Sequence, residues 1–522
     1  MEKQSLSQKI IRNTFYNTIG HVWGILVVLI LTPYIIHRIG IERYGIWVII
    51  GVITGYFGLL DFGVGNVFVK YISEFYAKRD YEKINQVVNT GFVFYSAFAI
   101  LIISLALFII KPLLTFFKIP PYLYNEAQFV FLLGIILFAI SNCLNVFRSI
   151  QSGLQRMDIT NKVLIAASIP AVFGTIFFLK MGYGLPGLMV NNAIILGISG
   201  IADLIIAFKI LPELKFNPFL FSKKVFKELF NFGYKLQIAR MSSMISIHID
   251  KLLISYFLSI GLVTFYQLGS SIVEKCKSTV LLLTGALVPA FSEMDAKGEK
   301  AKLIEGYARG TKYLALIAVP LFTFIIISAP DIMMIWMGPG YGISAWVIQI
   351  LGVGWLCAVL SAMRSIILQA IARPDIEMKA GLVAAVLNIP LSIIFIGLFG
   401  FSGVALGTSI ALFFSVVYGT IRLHKEIQLP IGRFLKTSVL KTVTICIYIG
   451  LPLWISVTAL KGVFFELSRI KSLIFFIIQA ALFFGIYLKV LIYTKPFDGV
   501  DVMMFAEDKP SLIQDLMMKF SK

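Results

Sequence analysis

Charge is scarce in this 522-residue sequence: 14% of its residues are Asp, Glu, Lys or Arg, whereas 58% are apolar and the mean hydropathy is +0.89. A soluble domain carries about 25% charged residues, so this composition excludes a water-soluble globule and implies an integral membrane protein. Cysteine and histidine are scarcer still, at four each. Cys143, Cys276, Cys357 and Cys446 all fall within apolar runs and have no metal-ligand spacing, and His21, His37, His248 and His424 are dispersed. No metal centre or cofactor is expected from them, and the cysteines read as small hydrophobes. The G-x-x-x-x-G-K-[ST] phosphate loop is absent, which excludes ATP hydrolysis by that device.

A bilayer core of about 30 Å asks for about 20 apolar residues per helix. Fourteen stretches qualify, from 13–37 to 472–492, among them 44–69, 233–257, 262–291, 343–368 and the closely spaced pair 379–398 and 401–421. The expected fold is an all-α polytopic membrane protein with about 14 transmembrane helices. Residues 1–12 are polar and lead straight into the first full-length span, so no separate signal peptide is expected.

Lysine and arginine fix the orientation. With the N-terminus inside, 33 of the 46 basic residues lie in inside segments and 8 in outside loops, so both termini are expected in the cytoplasm. The net charge of +19 then reads as basic loops that hold topology and meet anionic membrane lipids. Nucleic acid is not an expected partner. The outside loops are short, the longest being 111–127, and hold only Glu42, Glu126, Asp331 and Glu466, scattered singly. That leaves no paired carboxylates for catalysis, and no enzyme is expected.

The chain nearly repeats itself. RSIQSGLQRMDITNK at 148–162 is echoed by RSIILQAIARPDIEMK at 364–379, with Arg148, Arg156, Asp158 and Lys162 answering to Arg364, Arg373, Asp375 and Lys379 at displacements of 216 or 217. GYGLPGLM near 182–189 is echoed by LFGFSGVA at 398–405, and ERYGIW at 42–47 more faintly by VTFYQL at 263–268. Six spans separate the copies, an even number, so both halves have one orientation and form two pseudo-symmetric lobes around a central cleft. Rocking such lobes gives alternating access, which is transport. The expected organisation is a six-helix lobe over 1–208, a basic cytoplasmic linker over 209–232, a second six-helix lobe over 233–421, two further helices over 437–492 and a cytoplasmic tail over 493–522.

The runs PYIIHRIGIERYGIWVIIGVITGYFGLLDFGVG at 33–65 and IDKLLISYFLSIGLVTFYQLGSSI at 249–272 resemble bacterial polysaccharide biosynthesis flippases. These belong to the multidrug/oligosaccharidyl-lipid/polysaccharide superfamily, so a MATE-like fold is implied. The resemblance further implies an inner-membrane transporter that moves undecaprenyl-diphosphate-linked oligosaccharide to the outer leaflet. Cytoplasmic glycosyltransferases and an outer-face polysaccharide polymerase are the implied neighbours. A lipid II flippase, or a cation-coupled small-molecule antiporter of the same superfamily, remains open.

An ionisable side chain within a span is a functional candidate by default. In 233–257, Arg240, Asp250 and Lys251 fall on one helical stripe, with about 16 Å between Arg240 and Lys251. The next span places Glu274 beside Lys275 and Lys277, and the tenth carries Arg364. Arg240, Lys251, Lys275, Lys277 and Arg364 outnumber Asp250 and Glu274, and an excess of cations suits a diphosphate head. Asn17 and His21, on the stripe that begins at Asn13, are candidates to follow the sugars. Asp61, Asp250 and Glu274 are the only deep carboxylates nominated for ion coupling or pairing, and Arg148 and Arg364 for a gate or for lobe closure.

Overall fold

The protein is described here by a computed structural model covering residues 6–58, 64–284, 287–464 and 468–494. Side chains at 6–19, 64–66, 232–247, 283, 289–290 and 457–464 lie outside that description. Every regular element among the described residues is helical. The first compact unit, residues 1–267, holds α1 (Leu6–Ile39), α2 (Ile41–Phe57), α3 (Val64–Ala77), α4 (Tyr81–Phe116), α5 (Tyr124–Gly153), α6 (Met157–Lys180), α7 (Gly184–Ile210), α8 (Lys223–Phe257) and the start of α9 (Ile260–Leu281). The second unit, 268–522, holds the rest of α9, then α10 (Leu287–Ala296), α11 (Lys300–Ile327), α12 (Ala329–Trp336), α13 (Gly342–Leu360) and α14 (Ala362–Ala370). It continues through α15 (Pro374–Phe399), α16 (Phe401–Glu426), α17 (Ile431–Leu435), α18 (Lys441–Phe464) and α19 (Arg469–Thr494).

Eleven helical segments among the described residues are long and apolar enough to cross a membrane, close to the fourteen expected. The remaining helices fall short for different reasons. Helix α2 ends at Phe57 after 17 residues, α9 brings Glu274, Lys275 and Lys277 into its C-terminal half, and part of α8 lies outside the description. The expected span 262–291 is broken by a 3-10 turn at Leu282–Thr284 before α10. The expected span 343–368 bends at Ser361 between α13 and α14. Helices α1, α6, α11 and α15 run on through Pro33, Pro170, Pro320 and Pro390. The close pair 379–398 and 401–421 is divided at Gly400, whose φ of +59° opens the turn that α15 and α16 need.

Helix α5 is the hub of the first unit and touches α2, α3, α4, α6 and α7. Its Phe131 and Phe147 are fully buried, as is Phe68 of α3. In the second unit α11 plays that part among α10, α12, α13, α14, α18 and α19, around Phe322 and Phe483. Phe108, Ile30, Val386 and Leu398 stay exposed, which costs nothing where the solvent is hydrocarbon.

The internal repeat is legible in backbone geometry. Helix α5 ends with Gln155 at φ +57°, Gln155 N donating to Ser152 O and Arg156 N to Gln151 O; α14 ends with Ala372 at φ +54°, Ala372 N donating to Gln369 O and Arg373 N to Leu368 O. Both are Schellman closures. In each copy the next arginine turns back on the aspartate two residues on, Arg156 Nε to Asp158 Oδ1 at 3.1 Å and Arg373 Nε to Asp375 Oδ1 at 2.9 Å. A further echo escaped the sequence reading. The ion pairs Lys78–Glu74 and Lys83–Asp80 flank one Schellman turn and Lys297–Glu293 and Lys302–Glu299 another, every residue displaced by 219.

Candidate functional site

Small residues bring three helices of the first unit together. A Cβ on Gly134 of α5 would lie 2.8 Å from Ile50 of α2 and equally close to Met189 of α7, so a larger residue would have to push these side chains aside. Beside it α2, α5 and α7 leave a groove of about 530 Å3. Each contributes the spacing of one helical face: Trp47, Ile50, Gly51 and Thr54; Gly134, Leu137, Phe138 and Ser141; Asn192, Ile195, Leu196 and Ser199. These lining residues carry no ionisable group. Trp47 and Phe138 supply aromatic surface, and Thr54, Ser141, Asn192 and Ser199 supply neutral hydrogen-bonding groups.

Ile195 and Ser199 are shared with a second hollow of about 250 Å3, lined also by Arg148, Ser168 and Asp203. Here the charge is balanced. Gln151, fully buried, donates from Nε2 to Asp203 Oδ1 at 2.8 Å and accepts from Thr160 Oγ1 at 3.1 Å. Asp203 is itself only 6% exposed. It was not among the carboxylates nominated from the sequence, although Asp203 lies within an expected span and a lone acid in GIADLIIAFK was the signal to follow.

Asp250 and Lys251 of α8 are buried in the first unit, at 2% and 4% exposure. Tyr266 of α9 donates its hydroxyl to Asp250 Oδ2, and Tyr56 of α2 and His248 lie in the field of this cluster. Neither Asp250 nor Lys251 lines the groove. Beside the faintest sequence echo, Thr264 Oγ1 donates to the carbonyl oxygen of Ile41, the residue before ERYGIW, at 2.6 Å. Gly45 also approaches Ile260 so closely that a Cβ would reach the carbonyl oxygen at 2.2 Å.

In the second unit Glu274, Lys275 and Lys277 are half-buried on α9, and Lys277 Nζ stands 3.5 Å from the centre of the Trp355 ring. Arg364, 4% exposed, is engaged on three sides: Nη1 donates to Val416 O at 3.1 Å, and Nε and Nη2 face Glu377 at 3.3 and 3.4 Å. Ser365 holds the same carboxylate at 2.9 Å. Arg364 thus ties α14, α15 and α16 together, whereas Arg148, its partner in the repeat, faces a hollow. His21 is half-buried on α1. Asp61 and the side chains of Asn17 and Arg240 lie outside the described residues. Among the described residues no three His, Cys, Asp or Glu side chains gather as a metal site would need.

Residues 10–295 match the family described as polysaccharide biosynthesis protein. A putative O-antigen transporter of Shigella flexneri is 20% identical over 77% of this chain and 94% of its own length. A probable low-salt glycan biosynthesis flippase of Haloferax volcanii is 22% identical over 75% and 79%. Among solved structures, the lipid II flippase MurJ in an inward closed conformation superposes with a TM-score of 0.68 at 16% identity, covering 92% of this chain and 97% of that one. An inward-facing MATE-family multidrug transporter gives 0.65 at 18% identity, over 82% and 96%. The expected MATE-like helical fold is therefore the observed one.

Proposed function

Since the chain belongs to the polysaccharide biosynthesis protein family, we propose that it is a flippase carrying undecaprenyl-diphosphate-linked oligosaccharide from the cytoplasmic to the outer leaflet by alternating access. The family match over more than half of the chain carries this reading. The names of the two relatives, one an O-antigen transporter and one a glycan flippase, support it. The cations on α8 and α9 agree in sign: Lys251, Lys275 and Lys277 stand with Arg240 on stretches expected to lie in the membrane, where cations are expensive unless they serve a ligand or a partner.

On this reading the protein resides in the plasma membrane with both termini in the cytoplasm, and performs no covalent chemistry on its cargo. Glycosyltransferases load the substrate on the inner face and a polymerase consumes it on the outer. Lys251, Lys275 and Lys277, with Arg240, attract the diphosphate, while Asn17 and His21 follow the sugars. Asp250 and Glu274, with Asp61, are the ion-coupling or pairing carboxylates, Arg148 the mobile gate and Arg364 the fixed tie of its lobe. A drug-sized groove of about 530 Å3 favours one second reading, a small-molecule antiporter.

Reconstitution decides between them. Purified protein in liposomes containing a fluorescent undecaprenyl-diphosphate oligosaccharide is expected to deplete one leaflet of the label. Lys251→Ala and Lys277→Ala are each expected to slow the exchange at least tenfold. Wild-type protein that leaves the lipid in place while taking up a soluble organic cation down an ion gradient would overturn the flippase reading.

A further inference from the structure

We propose that the groove between α2, α5 and α7 is the seat of the uncharged saccharide of the cargo, separate from whatever holds its diphosphate. The inference rests on the flippase reading and assigns a part of the substrate to a place in the first unit.

Charge supplies the first argument. The groove's lining holds no Lys, Arg, His, Asp or Glu, and a dianion moved from water into a neutral, partly apolar hollow loses hydration that nothing there returns. The adjoining hollow does not change this, because Arg148 is matched there by Asp203. An uncharged polyol has no such penalty.

Chemistry supplies the second argument. A sugar ring has an apolar face of C–H bonds and a rim of hydroxyls, and needs both an aromatic plate and neutral donors and acceptors. Trp47 and Phe138 offer the plates, and Thr54, Ser141, Asn192 and Ser199 the rim partners. Thr54 and Ser199 already donate to carbonyls of their own helices and offer their oxygens as acceptors, but a purely lipidic occupant, such as the polyprenyl tail, would leave the Asn192 amide and the Ser141 hydroxyl facing hydrocarbon.

Form supplies the third. All three helices present the same i, i+3, i+4, i+7 face, so the groove runs about 10 Å along the helix axes. Gly51 and Gly134 keep its floor low, and Ser141 and Asn192 remain exposed at its edge. A volume of about 530 Å3 lies within the range of small-ligand sites.

The test separates sugar from lipid. Binding of two probes to detergent-solubilised full-length protein is measured: undecaprenyl diphosphate carrying one N-acetylhexosamine, and undecaprenyl diphosphate alone. Asn192→Ala and Trp47→Ala are expected to weaken the sugar-bearing probe about tenfold, the scale of a lost hydrogen bond or stacking contact, and to leave the bare lipid unchanged. Trp47→Phe, which keeps a plate, should recover most of the loss. Because Asn192 is exposed, its truncation does not endanger folding. Unchanged binding of the sugar-bearing probe in both alanine variants would overturn the assignment, and so would equal losses for the two probes. Failure of the flippase reading is read separately, as wild-type liposomes that translocate neither lipid.

Discussion

A guanidinium as deeply buried as that of Arg364 must recover its lost hydration from fixed partners, and Glu377 and the Val416 carbonyl are those partners. Removing the carboxylate charge leaves the cation buried. Glu377→Gln is therefore expected to destabilise the second unit by about 2 kcal/mol, less than for a fully enclosed pair because Glu377 is 38% exposed. A lowered Tm in detergent checks this. Gly419 belongs to the same arrangement: a Cβ there would stand 2.5 Å from Arg364 Nη1. Gly419→Ala should cost about 1 to 3 kcal/mol by forcing the guanidinium off its partners, and should add little in a Glu377→Gln background, since the two act on one contact. The sequence marked Arg364 by its intramembrane charge, yet gave no sign of Glu377 as its partner, because thirteen residues and a helix boundary separate them. Lys277 was marked for the same reason; Trp355 beneath it was not, since an aromatic among many aromatics stands out only once its neighbours are known.

At the level of elements, the turn after α3 shows how a helix start is secured. Asp80 caps α4 by accepting from Lys83 N at 3.1 Å and pairs with Lys83 Nζ at 2.8 Å. The hydrogen bond from the Lys83 side chain is the main reason that its carboxyl titrates below the ordinary range. The folded state thus favours the ionised form, so the cap is intact above the ordinary carboxylate pKa of about 4 and is lost as pH falls through the lowered value. Hydrogen exchange at the first turn of α4 should accelerate as pH is lowered through that range relative to mid-helix amides, after correction for intrinsic rates. Asp80→Ala should show the faster exchange already at neutral pH. Helix positions were largely readable from runs of apolar residues, whereas the breaks at Leu282–Thr284 and Ser361 were not, because the chain stays apolar across them. The turns that carry the 219-residue echo were missed for another reason. They match over a short stretch only, SEFYAK at 73–78 against SEMDAK at 292–297, and the shared left-handed φ falls on unlike residues, Arg79 and Gly298.

For the whole molecule, the basic loops predict which face is which. Single cysteines introduced at Arg79 and Gly298, in a background where the four native cysteines are replaced by alanine, should both resist a membrane-impermeant thiol reagent in intact cells and react after permeabilisation. A cysteine at Tyr122 should react at once. Opposite labelling of positions 79 and 298 would contradict the common orientation of the two halves. Fold class was legible because composition alone fixes the solvent. The groove was not legible: Trp47, Ser141 and Asn192 are ordinary letters on three separate helices, and only their convergence makes them a surface.

The displacement between paired turns shrinks along the chain, from 219 at Glu74 and Glu293 to 217 at Arg156 and Arg373 and 216 at Gly184 and Gly400. The two halves differ in chain length between the turns and agree in length within them. Each helical residue turns the chain by about 100°, so the closures work as phase markers: a deletion within Ser152–Asp158 would rotate α6 out of register, whereas a length change in a connector is absorbed before the next marker resets the count.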